Sequence, residues 1–94
     1  MATYRKKRID AVIDVRSRVE YFFGHLPGSV CIPLGGLEQA MAERPHLTPE
    51  SAILLVCASG ARSASAVDTL RRLGHRRVVD GGAYTVARPH YDKD

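Results

Sequence analysis

A cysteine at the end of an apolar run is the residue of this chain best suited to chemistry. Cys57 follows the apolar run 51–56, and four small residues and then Arg62 come after it. The pattern predicts a buried strand, a tight loop and the first turn of a helix. The loop amides, the helix dipole and the charge of Arg62 would then favour a thiolate at Cys57 and lower the pKa of its thiol. From the residues alone, the alternative is an unreactive cysteine that ends a core strand.

Strands and helices alternate along the chain around this segment. The predicted strands span residues 11–15, 28–32, 51–56 and 77–80. The predicted helices span residues 18–23, 37–43 and 62–73, with Gly74 as the cap of the last one. Such alternation is typical of the α/β class with a mainly parallel sheet.

Length and composition predict one domain with polar ends. The chain has 94 residues, of which 45% are hydrophobic and 26% charged. We expect a basic, flexible lead-in over 1–8, the folded domain over 9–87 and a polar, frayed tail over 88–94. No apolar stretch approaches the roughly 20 residues of a membrane span, and the basic start lacks a signal core. The expected location is therefore cytoplasmic, without membrane attachment.

The distribution of the basic residues, cysteines and histidines argues against nucleic-acid binding, a disulfide scaffold and a metal site. The net charge is +4, but the basic residues are scattered and no aromatic residues interleave with them. We therefore expect a solvated basic surface and no nucleic-acid partner. Two cysteines, Cys31 and Cys57, are too few for a disulfide scaffold, and the four histidines lack metal-ligand spacing, so no metal or cofactor is expected.

Three segments, taken together, identify a family. They are Ile13-Asp14-Val15-Arg16, the stretch from Glu20 to Pro33, and the loop from Cys57 to Arg62. Their residues, order and spacing resemble those of single-domain rhodaneses, the thiosulfate sulfurtransferase-like family. The resemblance implies the α/β, rhodanese-like three-layer fold, with a mainly parallel central sheet and helices on both of its faces.

The resemblance also implies an activity and a site. Cys57 would be the catalytic nucleophile, taking a sulfane sulfur from a small anionic donor such as thiosulfate and passing it to cyanide, a thiol or a protein acceptor. The substrate-binding loop would be Ala58, Ser59, Gly60, Ala61 and Arg62. Asp14 and Arg16, at the carboxyl end of the first strand, would support that loop. No cofactor is implied.

Two other functions remain open at this stage. Cysteine phosphatases and arsenate reductases also place a thiolate in an amide-lined loop, but their loop holds one residue more than the four between Cys57 and Arg62. A non-catalytic rhodanese-like interaction module would typically lack the cysteine. Cys31 is expected to be an inert core thiol, or else a resolving thiol if its Cα lies within about 7 Å of that of Cys57.

Overall fold

The computed structural model describes residues 1–94 and consists of alternating strands and helices. The strands are β1 (Ala2–Tyr4), β2 (Lys7–Ile9), β3 (Ala11–Asp14), β4 (Val30–Cys31), β5 (Ala52–Cys57), β6 (Arg77–Ala83) and β7 (Tyr91–Lys93). The helices are α1 (Arg18–Phe22), α2 (Leu37–Ala42), α3 (Ala61–Arg72) and α4 (Tyr84–Ala87). Single 3₁₀ turns, Leu34–Gly36 and Arg88–His90, precede α2 and follow α4.

Four parallel strands form the central sheet, in the order β4-β3-β5-β6. Strand β5 lies inside the sheet, and all six of its residues are buried. Ile53 and Leu55 pack on one face, in a cluster with residues of α2 and α3. Leu54 and Val56 pack on the other face, where β1, β2 and α4 cover them. Because both faces are covered, the strand is apolar throughout rather than alternating.

The predicted α/β class and three-layer rhodanese-like architecture are confirmed. Helices α2 and α3 cover one face of the sheet with Leu37, Met41 and Leu70. On the other face, α4 contributes Ala87, and a small second sheet adds to the layer. None of the helices combines the length and apolar character that crossing a bilayer requires.

Both ends of the chain form strands, whereas the sequence predicted no strand or helix over 1–8 and 88–94. Strands β1 and β2 form an antiparallel hairpin, and β7 pairs with β1 to complete the order β2-β1-β7. Tyr4 and Ile9 are buried against the second face of the main sheet, which anchors this small sheet. The hairpin turn holds Arg5 and Lys6 at φ values of 50° and 69°. A two-residue hairpin loop needs this left-handed geometry, and Gly or Asn usually occupies such positions. Because Arg5 and Lys6 are neither, the turn is not predictable from these residue types.

A register shift in the last pairing of the main sheet shapes the edge beside Cys57. Leu55 pairs with Asp80, whereas the next residue, Val56, pairs with Gly82, so Gly81 is the extra residue of a β-bulge. A Cβ at Gly81 would lie 2.9 Å from Val56 Cγ1 and 3.1 Å from Leu55 O, so any other residue there must displace its neighbours. Strand β6 consequently continues beyond the predicted end at residue 80.

Candidate active site

Cys57 is the last residue of β5, and helix α3 begins four residues later. It lies at the carboxyl edge of the parallel sheet, where ligand crevices of open α/β sheets form. Its side chain belongs to the cluster between the sheet and the helices α2 and α3. Cys57 has no exposed surface, so a reacting molecule must displace part of the loop to reach its sulfur.

The loop after Cys57 curls back over the sulfur. Ala58 and Ser59 are exposed, and Gly60 caps α3 with φ at 101°, a backbone conformation that favours glycine. The N–H of Gly60 donates to Cys57 Sγ at 2.9 Å. Because Gly60 is the N-cap residue of α3, the sulfur lies beside the N-terminus of this helix, where the helix dipole is positive.

The pKa of Cys57 is below its ordinary value of 9.0. Burial, the largest single influence, acts to raise this pKa because it disfavours the charged form. The hydroxyl and N–H of Ser63 and the N–H groups of Gly60 and Ser59 act against burial, and together they prevail. This environment therefore favours the thiolate, which is the nucleophilic form of cysteine.

Ser63 and Asp80 extend the site beyond the loop. Ser63 is buried in the first turn of α3, and its hydroxyl lies 3.0 Å from the carbonyl oxygen of Gly60 and 2.8 Å from Asp80 Oδ1. The same carboxylate oxygen accepts from the N–H of Gly82 at 2.9 Å. No sequence pattern singled out Asp80. The pairing of Ser63 with Asp80 depends on the bulge at Gly81, which has no clear sequence signal.

Arg62 is engaged by an acidic residue of α1. Its guanidinium donates to both carboxylate oxygens of Glu20, at 2.7 and 2.9 Å. These hydrogen bonds are the main reason why the pKa of Glu20 falls to about 2, and they raise the pKa of Arg62. Glu20 also closes a capping box with Ser17, which fixes its orientation at the start of α1. In this structure the charge expected to meet an anionic donor is therefore already paired.

Asp14 and Arg16 pair with each other at the end of β3. The guanidinium of Arg16 donates to both carboxylate oxygens of Asp14, with the shortest distance 2.7 Å, and both side chains are buried. Arg16 also donates to the carbonyl of Gly24 at 2.6 Å and stacks over the ring of Tyr84 at 4.0 Å. Neither residue hydrogen-bonds to the loop 58–62; Arg16 instead holds the segment around α1, which carries Glu20. The sequence did not identify Tyr84 as a partner.

Cys31 lies too far from Cys57 to form a disulfide without movement of the backbone. Cys31 and Val56 flank Asp14 on opposite sides, so β4 and β5 are separated by β3. Two strand spacings of about 4.8 Å exceed the Cα separation of about 7 Å that a disulfide allows. The thiol of Cys31 is partly buried and donates to the carbonyl of Arg16 at 3.7 Å, and burial raises its pKa.

Fold and site together define a class: a parallel α/β domain with a thiolate-favouring cysteine between a central strand and a helix N-terminus. The sequence matches the description of the rhodanese-like domain over residues 2–87, and the chain belongs to that family. The match includes β1 and β2 as well as the parallel sheet and its helices.

The chain is similar in sequence to proteins that are named sulfurtransferases. The human thiosulfate:glutathione sulfurtransferase is 34% identical over 86 residues, which cover 78% of this chain and 74% of that protein. An adenylyltransferase and sulfurtransferase, uba4 of Ogataea parapolymorpha, is 32% identical over 74 residues, 79% of this chain. Several relatives are longer than this chain, which spans 42%, 18% and 58% of the length of three bacterial and fungal proteins.

Solved structures agree on the fold. The human single-domain sulfurtransferase TSTD1 superposes with a TM-score of 0.67 at 27% identity, covering 83% of this chain and 77% of that one. A rhodanese with anions from E. coli gives a TM-score of 0.77, covering 89% and 98% of the two chains; at 24% identity, this likeness concerns the fold alone. The chain is thus a rhodanese-like domain whose named relatives include sulfurtransferases.

Proposed function

We propose that this protein is a sulfurtransferase that carries sulfane sulfur as a persulfide on Cys57. The observation that carries the proposal is the hydrogen bond of 2.9 Å from the N–H of Gly60 to Cys57 Sγ at the start of α3. It belongs to a set of donors that lower the pKa of this buried thiol, which would be costly if the cysteine only filled the core.

The reaction has two displacement steps. The thiolate of Cys57 attacks the outer sulfur of a donor such as thiosulfate, a sulfur–sulfur bond forms, and sulfite leaves with the electron pair of the bond that breaks. A nucleophile, either cyanide or a thiolate, then attacks the outer sulfur of the persulfide. The bond between the two sulfurs breaks, and its electron pair returns to Cys57 as the thiolate.

The loop residues Ala58, Ser59, Gly60, Ala61 and Arg62 form the substrate-binding part of this proposal. Because the persulfide is anionic, the amides and helix dipole that favour the thiolate also stabilise the intermediate. Small side chains let the loop shift to admit the donor, which the complete burial of Cys57 requires. Asp14 and Arg16 would support the loop indirectly, by holding the segment that presents Glu20 to Arg62.

The substrates follow from the same chemistry. A small anionic donor suits a positively polarised loop, and the four residues between Cys57 and Arg62 make a tighter cradle than the longer loops of cysteine phosphatases. For the acceptor we propose a thiophile, which is either a small molecule such as cyanide or a thiol, or a thiol of a protein. The name of the human relative, thiosulfate:glutathione sulfurtransferase, supports a thiol.

Intact mass spectrometry tests the proposal. After incubation with thiosulfate, the protein should gain the mass of one sulfur atom, and cyanide should reverse the gain with release of thiocyanate. Cys57→Ser should abolish both reactions, whereas the matched variant Cys31→Ser should retain them.

Two results would reject this function. Undiminished thiocyanate formation by Cys57→Ser would remove the proposed nucleophile. Hydrolysis of an aryl phosphate that is faster than sulfur transfer and is lost in Cys57→Ser would indicate a phosphatase instead.

A further inference from the structure

Helix α1 and its C-cap residue carry their apolar side chains on the side that faces solvent. Val19, Phe22 and Phe23 are 68%, 78% and 81% exposed, and no residue of the helix is buried. The rings of Phe22 and Phe23 pack edge to face against each other, with centroids 5.4 Å apart. A surface helix ordinarily turns such side chains toward the core. These three residues, the α1 surface, therefore form an apolar patch that nothing in this chain covers.

Polar contacts, rather than core packing, hold α1 in this orientation. Glu20 accepts two hydrogen bonds from the guanidinium of Arg62. The hydroxyl of Tyr21 donates to the carbonyl of Ser29. Glu20 and Tyr21 therefore face the domain, and at about 100° per residue the α1 surface and Arg18 share the opposite side of the helix. Turning the apolar residues inward would break both contacts, so their exposure is built into the way this segment is anchored.

The α1 surface borders the loop that covers the reactive sulfur. Glu20, which follows Val19 in the helix, is bonded to Arg62, the last residue of that loop. Because Cys57 has no exposed surface, an acceptor reaches its sulfur only where this loop moves. Cyanide needs no further contact. A protein that brings its own thiolate to this place also covers the elements beside the loop, and α1 is one of them.

The charges around the α1 surface favour an acidic partner. Arg18 is exposed on the same side of the helix and belongs to none of the ion pairs of the structure. The one carboxylate of α1, on Glu20, is already paired with Arg62. A second copy of this chain, with its net charge of +4, would bring a second Arg18 to the same twofold interface. An acidic partner instead complements this cation.

We propose that the α1 surface and Arg18 form the docking site of an acidic protein that accepts the sulfur on a cysteine flanked by apolar side chains. The proposal names the acceptor class of the sulfurtransferase function and rests on that function. The thiolate of the acceptor attacks the outer sulfur of the Cys57 persulfide. The bond between that sulfur and Cys57 Sγ breaks, its electron pair returns to Cys57, and the acceptor leaves as a persulfide. Docking on α1 holds the acceptor thiolate beside the loop, which favours this step.

Synthetic cysteine peptides are the probe that tests the docking site. The first peptide, acetyl-Leu-Asp-Leu-Glu-Gly-Cys-amide, is apolar and acidic, and a second peptide has serine in place of both leucines. With thiosulfate as donor, kcat/KM for the first peptide should exceed that for the second about three- to tenfold. The double variant Phe22→Ser/Phe23→Ser should lose this preference and keep the wild-type rate with cyanide.

A charge exchange tests the part of Arg18. A third peptide has lysine in place of both acidic residues of the first. Arg18→Glu should shift the ratio of kcat/KM for the first and third peptides toward the third, about two- to tenfold at low salt. Because the same two peptides are used with both proteins, their own thiol reactivities cancel from this comparison. A ratio that Arg18→Glu leaves unchanged would overturn the acidic character of the partner.

Leu73→Ser is the matched control for the phenylalanine variant. Leu73 is another exposed apolar side chain, but it lies at the opposite end of α3 from the Cys57 loop, so its replacement should keep the peptide preference. A preference that survives in Phe22→Ser/Phe23→Ser would overturn the proposal. Equal losses with cyanide and with every peptide in that variant would also overturn it, because the phenylalanines would then only support the fold.

Other occupants of the α1 surface are tested by direct measurement. We expect a monomer in sedimentation velocity and no binding to phosphatidylglycerol vesicles. A dimer that dissociates in Phe22→Ser/Phe23→Ser would assign the surface to a second copy and overturn the proposal. Vesicle binding that this variant loses would assign it to a membrane and overturn it equally.

A peptide that cannot react separates docking from sulfur transfer. The first peptide with serine in place of cysteine should shift the amide NMR resonances of α1 in the wild type but not in Phe22→Ser/Phe23→Ser. Such binding by a protein that takes up no sulfur from thiosulfate would count against the sulfurtransferase function. Sulfur transfer to cyanide without such binding would count against the docking site.

Discussion

The carboxylate of Glu20 and the guanidinium of Arg62 form a two-point ion pair beside the Cys57 loop, with nitrogen–oxygen distances of 2.7 and 2.9 Å. The two residues are 42 positions apart in the chain, and both are about one-third exposed. An ion pair that remains this accessible to water contributes little net stability. An anionic donor can therefore compete with Glu20 for Arg62, and Glu20 should weaken donor binding.

Glu20→Gln is the direct test of this competition. Glutamine keeps the capping box with Ser17 but removes the charge, so Arg62 becomes free to contact the donor. We expect KM for thiosulfate to fall about two- to fivefold at low salt, which is the range that exposed ion pairs allow. Steady-state rates of thiocyanate formation measure the effect, and high salt should reduce it.

Two controls accompany that measurement. Glu38→Gln removes an exposed carboxylate on α2 and should leave KM unchanged. Arg62→Ala should raise KM, and adding Glu20→Gln to it should then have no effect. If Glu20→Gln lowers KM equally with and without Arg62, its carboxylate repels the donor directly and the ion pair has no role.

The two thiols of the chain should react over different pH ranges. The pKa of Cys57 is lowered and that of Cys31 is raised from the ordinary value of 9.0. Since alkylation needs the thiolate, its rate should reach half of its maximum below pH 9 for Cys57 and above pH 9 for Cys31. The single-cysteine variants Cys31→Ser and Cys57→Ser separate the two profiles. Coinciding or reversed midpoints would show that the loop does not favour a thiolate.

Local patterns were sufficient to predict the α/β class and the loop between Cys57 and the helix that follows it. The apolar run before Cys57, the small residues after it and the helical spacing from residue 62 each report on structure within a few positions. Those features placed Cys57 between a central strand and a helix, where the structure has it. The alternation of elements along the chain likewise predicted the parallel sheet.

Pairings between distant residues could not be predicted in this way. The contact of Ser63 with Asp80 depends on one extra residue at Gly81, and a shift of one position would turn Asp80 to the other face of the sheet. The pair of Glu20 and Arg62 depends on how α1 packs beside the loop. Neither relationship has a local sequence signal, apart from the capping-box spacing of Ser17 and Glu20.

The buried pair of Asp14 and Arg16 should be important for stability. Arg16→Ala would leave a carboxylate without exposed surface and without its cation, and would also remove the contacts to Gly24 and Tyr84. We expect a loss of about 3–5 kcal/mol, the usual cost of breaking a buried pair from one side. At about 4–8 °C per kcal/mol for a chain of this size, Tm should fall by more than about 10 °C.

An exposed arginine provides the matched control for that variant. Arg76 pairs with Glu50 at 2.6 Å, but both side chains are mostly exposed, so Arg76→Ala should cost less than about 1 kcal/mol. Arg16→Lys should lie between the two, because lysine keeps the charge but lacks the planar fork. Equal losses for Arg16→Ala and Arg76→Ala in thermal unfolding would contradict a stabilising role of the buried pair.

The bulge at Gly81 should be sensitive to a single methyl group. In Gly81→Ala the new Cβ would lie 2.9 Å from Val56 Cγ1 and 3.1 Å from the carbonyl oxygen of Leu55, and the backbone of β5 has little freedom to move away. Overpacking of this kind costs about 1–3 kcal/mol, which urea unfolding measures as a lower midpoint. Gly35→Ala is the control, because nothing lies within 4 Å of its added Cβ, and its stability should change by less than about 1 kcal/mol. Equal unfolding midpoints for the two variants would show that the bulge adapts to the methyl group.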